Sequence, residues 1–135
     1  MLLICWLNRV LPGEVVPYGE SRRISRLTRD VLASRSVWTL GAQQIECIAE
    51  KCADAFVNTH SFAEMPKRVM DNYFSRVNRI TSGVLYSKQR EVERNVIDNV
   101  EVTLDTYPVQ PGWRLLFYET STLYEGCFEA AYAMP

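Results

Sequence analysis

Histidine is the commonest general base, and this chain offers one, His60. A Ser–His–Asp or Cys–His catalyst would have to be built around it. Its sequence setting is plainer: Asn58-Thr59-His60 closes a predicted helix, where the dipole favours a cation. Cys127, in Glu125-Gly126-Cys127-Phe128-Glu129, is the candidate nucleophile, but flanking carboxylates raise a thiol pKa. It reads as a strand cysteine facing a core. Four cysteines and one histidine give no zinc set at local spacing. Glu91, Glu93, Asp98, Glu101 and Asp105 follow no calcium-loop pattern, and the six glycines stand singly, without a phosphate-binding signature. The chain therefore reads as non-enzymatic, with no cofactor and no metal.

Two constellations point to binding. Arg22, Arg26 and Arg29 fall within about 60° of one another on an ideal helix. Arg68, Arg76 and Arg79 add a second basic stripe, and arginine grips phosphates bidentately. These six residues are the candidates for an anion or nucleic-acid surface. The aromatic residues Tyr107, Trp113, Phe117, Tyr118, Tyr124 and Phe128 crowd the C-terminal third. They can line an interface, enclose an apolar ligand, or fill a core.

The charge is sorted in the same way. Residues 1–90 carry 13 Lys/Arg against 8 Asp/Glu, whereas residues 91–135 carry 2 against 8. A basic part therefore precedes an acidic one, under an overall net charge of −1. A pI near 5.9 is unlike that of a uniformly basic nucleic-acid binder.

The elements that would position these residues follow from periodicity. Ser21 is a plausible N-cap for a helix from Arg22 to Ala33, with Ile24, Leu27 and Val31 on its apolar side. A second helix is predicted from Gly41 to Asn58, buried through Ile45, Ile48, Ala49, Cys52, Ala53 and Phe56. On it Cys47 and Cys52 stand about 140° apart and cannot bridge. The third helix starts at a capping box, Ser61 with Glu64, or at Pro66, and buries Val69, Met70, Tyr73, Phe74 and Val77. Strands are expected at 84–86, from Val100 through Leu104 and at 113–119 as a central strand; 123–134 fits a strand or a short helix capped by Thr122 with Glu125, with Gly126 favouring the strand. Residues 89–98 fit a short helix or a strand.

At 135 residues the chain is expected to form a single domain, 1–135, with a helical half 1–80 and a sheet half 81–135. The expected fold class is α+β: about three helices in residues 20–80 packed on one face of an antiparallel sheet of three to four strands in residues 82–134. The alternative is a mixed sheet that gains segment 2–10 as a strand. The apolar start Leu2–Leu7 is too short to span a bilayer and has no cleavage site, so no membrane partner and a cytoplasmic location are expected. Scattered cysteines fit reduced thiols. The functional expectation is an interaction protein that binds a protein partner or itself through the aromatic sheet half. The alternatives are an anion or nucleic-acid binder and a carrier of small apolar ligands.

Overall fold

Met70, Phe74, Val77 and Ile80 recur at helical spacing and are all buried, and they define the longest helix among the described residues. A computed structural model describes residues 2–135, in two compact units: the residues up to Cys52, and Ala53–Pro135.

In the second unit the chain runs through β3 (Ala53–Thr59), α4 (Lys67–Ile80) and β4 (Thr81–Arg90). The short hairpin β5 (Val92–Arg94) and β6 (Glu101–Thr103) follows, and then β7 (Arg114–Thr120) and β8 (Cys127–Ala133). The strand order is β3-β4-β8-β7. β3 and β4 are parallel, as a helical crossover requires, while β8 is antiparallel to both β4 and β7. α4 passes into β4 without a loop, because Thr81 is already extended. The core lies between α4 and the sheet and includes Phe62, Met70, Phe74, Leu85, Trp113 and Phe128. Phe62 and Phe74 pack with ring centroids 4.8 Å apart.

The first unit holds α1 (Leu2–Val10), β1 (Val15–Val16), α2 (Tyr18–Ser21), α3 (Arg29–Ala33) and β2 (Val37–Trp38). β1 and β2 pair in parallel over two residues. Leu27 is fully buried, and its backbone bridges to the segment after a 3-10 turn, bonding Cys47 and Ala49. Polar ties supply much of the order. The Ser21 hydroxyl donates to the Thr39 carbonyl at 2.6 Å, and Gln44 Nε2 donates to the Ser21 carbonyl at 2.8 Å.

This arrangement overturns the expected three helices on an antiparallel C-terminal sheet. The described residues form eight strands in three sheets, the largest of them mixed, and strands reach back to residue 53 and beyond. Residues 22–33 are not one helix: the chain turns after Ser21, Leu27 sits in a bridge, and α3 begins only at Arg29 with Thr28 as its cap. The predicted helix 41–58 divides into a 3-10 turn, Ala42–Cys47, and strand β3. Apolar residues from two elements had combined into a helical period, and β-branched Val57 and Thr59 pair with β4 instead. His60 consequently follows a strand, not a helix. The mixed sheet owes its extra strand to β3, whereas segment 2–10 is helical.

Helix α4 starts at Lys67, after Pro66, and not at the Ser61 box. The Lys67 amide is bonded by the Asp98 carboxylate at 2.8 Å, and the Ser61 hydroxyl receives a bond from Asn58 instead. Arg114–Thr120 is an edge strand, not the central one, and β8, read as strand from the sequence, takes the central place. Cys127 is buried on it, and all four cysteines are free thiols. No helix among the described residues is long and apolar enough to cross a membrane.

Candidate functional site

The carboxyl ends of the parallel strands β3 and β4 lie side by side, and a cavity opens there. Its volume is about 120 Å³, and it is lined by His60, Ala63, Glu64, Gln89, Arg90 and Glu93. A neighbouring hollow of about 400 Å³ shares Ala63, Glu64 and Glu93 and extends along Arg94, Asn95 and Val96. Strand β3 delivers His60, β4 delivers Gln89 and Arg90, and the following hairpin supplies Glu93.

Gln89 is the informative residue. It is fully buried, and its amide nitrogen is held by Asn58 Oδ1 at 2.7 Å and the Ser87 hydroxyl at 3.3 Å. Asn58 Nδ2 in turn donates to the Ser61 hydroxyl at 2.6 Å, and the Asn58 backbone carbonyl, which can only accept, lies 3.5 Å from the same Gln89 nitrogen. This relay commits the nitrogen of Gln89 to Asn58 and leaves Oε1 buried with no hydrogen-bond partner. An unpaired buried carbonyl costs on the order of 1–3 kcal/mol.

His60 carries a second mark. Its backbone is left-handed, with φ of 61°, an uncommon state for a non-glycine residue, and its amide donates to the Lys88 carbonyl at 2.8 Å. Its ring meets the Tyr124 ring edge-on at 6.1 Å. Arg90 Nε pairs with Glu93 Oε2 at 3.2 Å, so the rim already balances part of its own charge. Asn95, buried beneath the second hollow, donates to the Ala63 carbonyl at 3.1 Å and ties the hairpin to the loop after His60.

Beside this cavity lies a polar knot. Glu129 on β8 accepts from Lys88 Nζ at 2.8 Å, from the Tyr86 hydroxyl at 2.7 Å and from the Ser121 hydroxyl at 2.7 Å. These bonds, the one from Lys88 foremost, hold its carboxyl down to about 2. The same carboxylate raises the Tyr86 hydroxyl above the usual tyrosine range. Lys88 Nζ also sits 4.5 Å from the centre of the Tyr124 ring, a cation–π contact.

The residues singled out from sequence are dispersed. Arg22 follows α2, Arg26 lies in irregular chain before the Leu27 bridge and Arg29 opens α3, so no helical stripe joins them. Arg29 instead donates to the Lys51 carbonyl at 3.1 Å. Arg68, Arg76 and Arg79 do share α4, with Arg68 exposed and the other two half-buried. Of the aromatic set, Tyr107, Trp113 and Phe128 are core residues, while Phe117, Tyr118 and Tyr124 are exposed. Trp113 Nε1 is satisfied by Asn78 Oδ1 at 2.7 Å.

Sequence reasoning did not identify Gln89, Asn58, Glu64 or the Lys88–Glu129 pair as site residues. Their one local signal is the polar Asn58 after Phe56-Val57, and it acquires meaning only once β3 and β4 are paired. Among the described residues no cluster of three or more His, Cys, Asp or Glu could hold a metal ion. No protein-family model matches the chain, and neither does any curated protein or solved structure compared with it.

Proposed function

We propose that the second unit is a binding module for a small polar ligand, held in the cavity at the carboxyl ends of β3 and β4. The observation that carries this reading is the unpartnered Oε1 of Gln89, a buried residue that lines that cavity. A ligand donor placed there would relieve it. Glu64 and Glu93 add further acceptors, so the ligand is one that brings donors, a hydroxyl or an ammonium group. The position agrees with the general tendency of open sheets with parallel strands to bind ligands beyond the strands' carboxyl ends. The left-handed His60 lies at the same point.

The test is amide-resolved NMR of the whole chain titrated with ethylene glycol, methylammonium and, as control, inorganic phosphate. The Gln89 side-chain amide and the His60 backbone amide should shift with the first or second probe and not with phosphate. If neither donor probe moves them at tens of millimolar, or if phosphate alone does, the reading fails.

A second reading, association of copies through the sheet half, is favoured by a separate observation. Every residue of edge strand β7 is exposed, including Leu115, Leu116, Phe117 and Tyr118. The carrier of apolar ligands is not taken forward. The apolar cavity bounded by Phe74, Leu85, Tyr107 and Phe128 holds about 10 Å³, room for about one water and not for an apolar ligand.

A further inference from the structure

Strand β7 reads Arg114-Leu115-Leu116-Phe117-Tyr118-Glu119-Thr120, apolar in the middle with one charge of each sign towards its ends. In a regular strand, residues five apart point to opposite faces. Here a register shift between Leu115 and Phe117 inserts an extra residue against β8. Arg114 is therefore opposite Ala133, Phe117 opposite Ala131 and Glu119 opposite Glu129, three alternate positions on one side of β8. The bulge brings Arg114, Phe117 and Glu119 onto a single face, with Phe117 midway between the charges. Counted in paired positions, the strand is then self-complementary about Phe117.

We propose that β7 pairs with β7 of a second copy, antiparallel about a two-fold axis at Phe117, with Arg114 of each copy facing Glu119 of the other. This rests on the second reading above, association through the sheet half, and adds its partner and register. Four observations support it. The outer edge of β7 is unpaired in the sheet order. Its four apolar residues are each between 40% and 49% exposed. Among the described residues neither Arg114 nor Glu119 has a side-chain partner. Glu119 also stands beside Glu129, directly opposite on β8, a like-charge neighbour that a facing cation offsets. A two-fold axis perpendicular to a continuous sheet keeps each face with itself, so both Arg–Glu pairs fall on the same face as Phe117. Pairing through one short strand buries less than the roughly 1,200 Å² of a stable interface, so the dimer is a transient one.

Sedimentation velocity of the full chain from micromolar to several hundred micromolar tests this. The wild type should show a concentration-dependent dimer. Arg114→Glu and Glu119→Arg should each weaken it by roughly tenfold or more, because each places two like pairs across the axis. The double exchange Arg114→Glu with Glu119→Arg should restore it, and wild-type-like circular dichroism of the single variants shows that they remain folded. A wild type that dimerises with no response to either single exchange overturns the register and leaves self-association standing. A wild type that stays monomeric throughout overturns both.

Discussion

Tyr107 shows how a single side chain can be placed for its ring and not its hydroxyl. The ring stacks near Phe74 and meets Phe128 edge-on, both with centroids 6.1 Å away, while its buried hydroxyl has no partner. Burial, with Glu93 next in effect, pushes that hydroxyl well above the usual tyrosine range. The folded state thus resists ionisation that the unfolded chain undergoes near pH 10, so stability is full below that point and declines as pH rises through it. Tyr107→Phe should leave neutral-pH stability within about 1 kcal/mol of the wild type, since it deletes an unpaired group and keeps the ring. It should also weaken the alkaline loss, and denaturant unfolding at pH 7 and pH 11 checks both. Phe128→Ala, by contrast, empties the centre of the same cluster and should cost about 3–5 kcal/mol in the same measurement.

At the scale of elements, the β3–α4–β4 crossover depends on how closely its two strands approach. A Cβ added to Gly83 would lie 2.2 Å from the Asp54 carbonyl oxygen, where the register between Ala53 and Ala55 shifts. That contact is with backbone, so no side-chain rotation relieves it. Gly83→Ala should destabilise the protein by about 1–3 kcal/mol, by the ordinary cost of overpacking. Gly19→Ala, with open space at its Cβ, serves as the control. Thermal unfolding that gives the two variants the same midpoint would contradict this account of the crossover. The start of α4 is held in a comparable way from outside the helix. Asp98 bonds the Lys67 amide, and Lys67 pairs with Asp71 one turn on. Asp98→Ala removes a carboxylate cap and should cost about 0.5–2 kcal/mol.

Across the whole molecule, charge is distributed differently from its order along the chain. Basic β4 and acidic β8 lie side by side, and their meeting point is the Lys88–Glu129 pair with Tyr86 and Ser121. Because Glu129 is held down to about 2 in the folded state, the stability it contributes is complete above the ordinary carboxylate range. It is lost as pH falls from about 4.3 towards 2. Thermal midpoints followed between pH 7 and pH 2 should decline over that window in the wild type. In Glu129→Gln they should begin lower at pH 7 and decline less steeply. An identical acid profile in the two proteins would show that the knot does not govern acid stability.

Some of this was determined by the chain itself, where local patterns are unambiguous. The stripe Met70, Tyr73, Phe74 and Val77 specifies α4 wherever it packs, and the alternation around Val102 specifies a strand. The buried strand position of Cys127 was legible for the same reason. The rest depended on partners distant in sequence. Ala53–Thr59 satisfies a helical and an extended period about equally, and pairing with β4, some thirty residues on, decides between them. The arginines at 22, 26 and 29 could form a stripe only if a helix joined them, and the bridge from Leu27 to Ile48 prevents it. The cavity beside the buried Gln89 has no local signature, because its walls come from the loop after β3, the end of β4 and a hairpin. A period records which face of an element is apolar, but a site is made where several elements end together, and only tertiary packing determines that.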